Sequence, residues 1–323
     1  YQEYTYNQLK ELMTGYGNFD ILWLDGGWVK GEEVGLDKLL AEVRSTTQPG
    51  LISVDRAIKG RNENYQTPER GIPAKQLNYP WESCITLSHD WGWVANPVFK
   101  TPRKVIGMLA EICAKGGSLA LGVGPTPQGL IQPEVESILQ EIGAWLKVNG
   151  KAIYNTRITP NYNTGNVWFT ADKNEKTLYA IYALPDGEEL PETIEWEGNE
   201  PAGRMTLLKG KRAVNYTYKD GKVTVKLPKG LKNEPLAFSF NVKKYYLKER
   251  IMKNWKKIIG CLMGAALALN VQAQQVQGFV HEQSKATDYV WPTDPQVLEK
   301  LDKWQDQKFG VLFHWGLYSV PGI

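Results

Sequence analysis

Two hydrophobic periods divide this chain, and the switch between them constrains its fold more than any other feature. YTYNQLKELMTGYG (4–17) reads as a helix, FDILWL (19–24) as a buried strand, residues 35–48 as a helix and GLISVD (50–55) as the next strand. After a long loop come the strand ESCITL (82–87) and a helix that opens on Thr101-Pro102 and stops at Gly116. The strand SLALGVG (118–124) and a helix over 133–150, closed by Gly150, complete the series. Such strand–helix repeats imply a parallel sheet with covered faces. From about residue 156 the period drops to two. NVWFTAD, TLYAIYAL, TIEWEG, RMTLLKG, AVNYTYKD, KVTVKLP and LAFSFNVKK are short runs between Gly, Asn, Asp and Pro turns, the pattern of an antiparallel β-sandwich.

Charge and composition exclude several classes. A net charge of +3 over 323 residues, with scattered lysines and arginines, lacks the basic footprint of a nucleic-acid binder. Three cysteines make no disulfide framework, and neither Cys84 nor Cys113 has a CxxC or His partner at metal-ligand spacing. With only His89, His281 and His314 available, no metal site is expected. The 12 tryptophans and 16 tyrosines supply flat faces suited to the C–H faces of sugars, although core filling accounts for most of such residues.

Near the far end, MKNWKKIIGCLMGAALALNVQAQQ begins at Met252. Lys253, Lys256 and Lys257 form a basic start, residues 258–269 an apolar run, and Val271-Gln272-Ala273 a small-residue cleavage site. These are the parts of a Sec signal peptide, and the run is shorter than the roughly 20 residues of a membrane span. Export to the periplasm or the extracellular space is the expectation, with no other membrane attachment. An internal signal suggests that residues 252–323 begin one reading frame and 1–243 finish another, with 244–251 as linker or read-through.

Residues with catalytic potential stand past the strand ends, the rim where (β/α)₈ barrels carry chemistry. Asp25 closes an apolar strand and is followed by Gly26-Gly27, which let a backbone or a ligand come close; Asp-Gly-Gly is equally a plain turn. Glu69 in YQTPERG and Glu82 in PWESC are carboxylates fit for proton transfer or for bracing a loop. Arg56 offers a planar donor fork or pairs with a neighbouring carboxylate. A lone His such as His314 on an apolar strand is more often a core residue.

Taken together, several of these segments resemble glycoside hydrolase family 29, the α-L-fucosidases. FDILWLDGGW (19–28) is similar to the family's nucleophile strand and turn, and SVDRAI (53–58) to a segment supplying a substrate-binding arginine. YPWESCITLSHDWGW (79–93) is similar to an active-site loop, and KFGVLFHWGLYSVP (308–321) to the first barrel strand. GGSLALGVGPTPQGLI (116–131) resembles a further segment, with Ala120 and Gly122 standing where the family usually has asparagines. The resemblance implies retaining hydrolysis of terminal α-L-fucosyl linkages in fucosylated glycans, using two carboxylates about 5–5.5 Å apart and no cofactor. Asp25 would be the nucleophile. Either Glu69, like the TPE glutamate of some members, or Glu82, like the WE glutamate of others, would be the acid/base. Arg56, His314 and Trp315 would bind the sugar, with Trp28, Trp91 and Trp93 as stacking candidates or core residues.

The family's paired-His motif is missing, and the sequence outside the sandwich falls short of the roughly 250 residues of a complete barrel. The expected fold is therefore α/β, a partial (β/α)₈ TIM-like barrel followed by an antiparallel β-sandwich domain. Residues 1–155 would be the later part of the barrel, 156–243 the sandwich, 252–273 the signal and 274–323 the start of the barrel. Incompleteness keeps a non-catalytic or inactive carbohydrate-binding fragment as the alternative.

Overall fold

The computed structural model describes residues 1–26, 29–56, 62–174, 176–242 and 289–316, with backbone alone for Asp55 and Arg56. Trp28 and residues 252–273, the segment expected to be an export signal, lie outside the described residues. Elements are numbered in chain order.

The strand–helix half begins with helix α1 (Gln2–Gly15), strand β1 (Ile21–Asp25), helix α2 (Leu36–Ser45) and strand β2 (Ile52–Arg56). β1 and β2 run parallel, from Ile21 opposite Ile52 to Asp25 opposite Arg56. Strand β3 (Glu82–Thr86), helix α3 (Pro102–Ala114), strand β4 (Ser118–Val123) and helix α4 (Pro133–Asn149) follow. α3 starts where Thr101 accepts a hydrogen bond from the Lys104 amide at 3.1 Å, with Pro102 in the first turn. Its Val105, Ile106, Leu109 and Cys113 pack in one core with Leu119, Leu121 and Val123 of β4. Strand alternation turns Ala120 and Gly122 to the opposite, inner face. β4 is buried at every position, as a central parallel strand must be.

The long loop expected after β2 carries an unforeseen extended segment. Asn64 donates its amide to the Ser53 carbonyl of β2 at 2.9 Å. On the other side Glu82 donates to Gln66 at 2.7 Å, and Arg70 to Cys84 at 2.8 Å. Parallel bridges pair Gln66 with Trp81 and Glu69 with Cys84. Residues 64–70 thereby connect β2 to β3. Pro68 removes one ladder donor, which explains why the pairing breaks into isolated bridges.

The far end of the chain completes this layer. Helix α5 (Pro295–Gln307) is capped by Asp294 and buries Val297, Leu301 and Trp304. Trp304 stacks on Tyr65 with ring centroids 4.0 Å apart. Arg157 reaches Asp302 at 2.5 Å and Asp306 at 2.6 Å, and Lys173 reaches the same two carboxylates at 2.6 and 2.8 Å. Strand β15 (Phe309–Phe313) then lies parallel on β4, Phe309 opposite Leu119 and Phe313 opposite Val123. The parallel order is β1, β2, residues 64–70, β3, β4, β15.

Antiparallel strands occupy residues 156–242: β5 (Thr156–Arg157), β6 (Asn163–Thr164), β7 (Val167–Asp172), β8 (Leu178–Tyr182), β9 (Thr193–Glu197), β10 (Pro201–Leu207), β11 (Arg212–Val214), β12 (Tyr216–Lys219), β13 (Lys222–Lys226) and β14 (Leu236–Val242). One sheet runs β11-β10-β14-β8-β7-β5 with β6 on β7; the other runs β12-β13-β9. β9, TIEWE, alternates exposed and buried, and its Ile194 and Trp196 meet Phe169, Phe238 and Phe240 of the larger sheet in one core. The opposite face of that sheet gives Tyr179, Ile181 and Ala237 to the core of α3 and α4. Trp145 of α4 donates to the Pro235 carbonyl at 2.7 Å, so the two halves share apolar contact and a buried hydrogen bond.

Candidate active site

Because the strands of the layer are parallel, their carboxyl ends lie on one edge. Asp25 is the last residue of β1, exposed there, and level with Arg56 at the end of β2. His314 follows the end of β15 and donates its amide to Val123, the last residue of β4, at 2.9 Å. Trp315 is exposed next to it, its Nε1 donating to the Thr126 carbonyl at 3.0 Å.

Between these ends lies a cluster built from three segments. Trp91, in the loop after β3, donates Nε1–H to Glu69 Oε1 at 3.0 Å. The same ring meets His314, centroids 4.8 Å apart and planes at 42°. Arg70 places its guanidinium 5.4 Å from the Trp91 ring centroid and 3.8 Å from Asp90. Its backbone has φ of 52°, a left-handed conformation uncommon for a non-glycine residue. Sequence reasoning passed over Arg70; its only signal was its position next to Glu69, since the φ is not written in residue type.

Glu82 lies elsewhere. It opens β3 opposite Ser118, the first residue of β4, and so sits at the amino edge, away from His314. Its neighbours are the Tyr65 hydroxyl at 3.5 Å and the Cys84 thiol at 3.9 Å. Burial pushes the Glu82 carboxyl up to about 7, and the contacts with Tyr65 and Cys84 offset only part of that. The two glutamates, alike in sequence, thus stand in different surroundings. Trp93, half-buried, lines a small cavity together with Leu87, Phe99, Val123 and Val135. Among the described residues no group of three His, Cys, Asp or Glu side chains could hold a metal ion.

Comparison with known proteins places this arrangement in a family. The model described as alpha-L-fucosidase matches residues 1–151 and 276–323, the whole of the parallel layer. The chain belongs to the α-L-fucosidase family. It is 31% identical over 192 residues to the plasma alpha-L-fucosidase of Homo sapiens, a match that covers 55% of this chain and 41% of the relative. With the alpha-L-fucosidase of Branchiostoma floridae it shares 27% over 252 residues, covering 72% of this chain and 55% of the relative. The solved structure of alpha-L-fucosidase isoenzyme 1 from Paenibacillus thiaminolyticus superposes with a TM-score of 0.65 at 28% identity, covering 75% of this chain and 62% of that one. The Thermotoga maritima alpha-fucosidase, solved in complex with fucose, has the same fold at 24% identity and a TM-score of 0.62. The chain spans between about a quarter and just over half the length of curated relatives it matches.

Proposed function

We propose that the chain carries the catalytic chemistry of an α-L-fucosidase, retaining hydrolysis of terminal α-L-fucosyl linkages in glycans. Asp25 attacks the anomeric carbon, and Glu69 protonates the leaving oxygen and later deprotonates water. One observation carries this reading: Glu69 is gathered with Trp91 and His314 on the carboxyl edge, the edge on which Asp25 ends β1. Glu82, on the amino edge beside Tyr65 and Cys84, is the weaker acid/base candidate despite its raised pKa. In this proposal the parallel layer is a sector of a (β/α)₈ barrel and residues 156–243 form a β-sandwich. Arg56, Trp28, His314 and Trp315 serve the sugar, with a fucosylated glycan as the partner. Residues 252–273 serve as a Sec signal, and the site of action is periplasmic or extracellular.

A second reading has its own support. Asp25 is exposed, and among the described strands β1 pairs with β2 alone, which favours a non-catalytic or inactive carbohydrate-binding fragment. Hydrolysis of 4-nitrophenyl α-L-fucoside by the full chain, beside Asp25→Gly, separates the two. The enzyme reading expects turnover that falls on the order of a thousandfold or more in the variant. Equal rates in both proteins, at background, would leave the fragment reading.

A further inference from the structure

Trp91 occupies a seat that exists only because two positions, Gly122 in β4 and Gly124 just past its end, carry no side chain. A Cβ on Gly122 would stand 2.9 Å from Cζ3 and 3.0 Å from Cε3 of the indole. A Cβ on Gly124 would stand 2.2 Å from the carbonyl carbon of Gly92 and 2.4 Å from the amide nitrogen of Trp93. Neither a ring edge wedged on a strand nor a backbone can yield by that much, so both glycines are required for this placement of 91–93. Seated there, the ring touches His314 and Arg70, and its only polar atom points at Glu69.

We propose that Trp91 is a positioning residue for Glu69, held against β4 by Gly122 and Gly124. The inference rests on the reading of Glu69 as the acid/base. An indole N–H only donates, so the oxygen it reaches, Oε1, is held as an acceptor. In the neutral acid the proton then resides on Oε2. During the first step that Oε2–H passes to the glycosidic oxygen as the bond to the anomeric carbon breaks and Asp25 bonds to that carbon. In the second step the Glu69 carboxylate takes a proton from water, whose oxygen displaces Asp25. Trp91 gains and loses nothing; it fixes which oxygen works and where it points.

The first arm of the test is spectroscopic and needs no turnover. Indole ¹⁵N–¹H spectra of the full chain contain 12 Trp residues, and Trp91→Phe identifies the signal concerned. Among the described residues, the charged or titratable groups around that indole are Glu69 and Arg70 from the 64–70 segment, Asp90 from its own loop and His314 from the end of β15, with Lys100 near Arg70. The expected result is a pH-dependent shift of the Trp91 signal containing one step that disappears in Glu69→Gln, while any step from His314 persists. Gly122→Val is expected to displace the signal and remove the same step. A Trp91 signal that titrates identically in wild type and Glu69→Gln would overturn the proposal.

The second arm is kinetic. Trp91→Phe keeps an aromatic ring, although a smaller one, and deletes the donor. It is expected to slow fucosides with poor leaving groups on the order of tenfold to a hundredfold, and to leave fucosyl fluoride, which needs little protonation, within about threefold. Equal slowing of both substrates would make Trp91 a packing residue and end the proposal. If Glu69→Gln itself shows no dependence on leaving group, the acid/base reading fails and the proposal falls with it, by a result separate from the spectra.

Discussion

The parallel layer and the antiparallel sheets solve the problem of burial in opposite ways. Residues 156–242 draw their core from within: Phe169, Trp196, Phe238 and Phe240 all come from one stretch of 87 positions. The parallel layer must borrow, since β15 and α5 arrive from the far end of the chain to cover β4, β2 and Tyr65. Chemistry follows the borrowing. Every candidate catalytic or sugar-binding residue among the described residues belongs to the parallel layer or the loops at its edge, and the Glu69 cluster needs His314 from the remote piece. A self-sufficient core makes a dependable scaffold, whereas a site assembled from distant segments can set side chains from several of them against one ligand.

Three substitutions test how far that contrast holds. The largest effect is expected in the antiparallel core, where Phe238→Ala should cost about 3–5 kcal/mol, read from chemical denaturation. Amide exchange should then accelerate in β8 and β14 more than in β1 and β2; uniform acceleration would show that the two regions unfold as one unit.

Next comes Glu82. Its folded pKa of about 7 lies above its ordinary value of 4.5, so the folded state binds the extra proton between those pH values. Stability is therefore full below about pH 4.5 and falls as pH rises towards 7, by about 3 kcal/mol in all. Glu82→Gln should abolish that slope and leave the variant more stable than wild type at pH 8. An unchanged pH–stability curve in Glu82→Gln would mean that Glu82 is solvated like an ordinary surface carboxylate.

The smallest change should follow Arg157→Ala, which removes the bridge from β5 to Asp302 and Asp306. About 1–2 kcal/mol is expected, more than an exposed pair gives because Arg157 and Asp306 are each about one-fifth exposed. It should report on Trp304, whose fluorescence should respond at lower denaturant than the antiparallel core. Simultaneous loss of both would erase the distinction between a borrowed and a self-contained region.

Much of this fold was legible in the residues. β4 is an unbroken apolar run, α3 has its Thr101-Pro102 start, and β9 alternates so cleanly that its buried face could be named from sequence. Residues 64–70 were not legible, because Pro68 interrupts the ladder and their partners lie in two other strands. The choice between Glu69 and Glu82 was hidden for a related reason. Each glutamate follows closely on a proline, Pro68 or Pro80, and only strand register puts one at the amino edge and turns the other towards Trp91. Gly122 was visible as a departure from the family pattern, but its cause was not. A seat for an indole is a property of two segments 31 positions apart.

The docking of residues 289–316 has a consequence for assembly. Hydrogen-bonded contact between Leu119 and Lys308 closes a loop of nearly 190 residues, and the logarithmic growth of closure entropy keeps that cost to a few kcal/mol. The remote piece behaves as a tethered ligand whose occupancy is set by effective concentration rather than by amount of protein. Sever the tether, and the same contacts become a bimolecular equilibrium: the site that includes His314 then exists in proportion to how much of each piece is present.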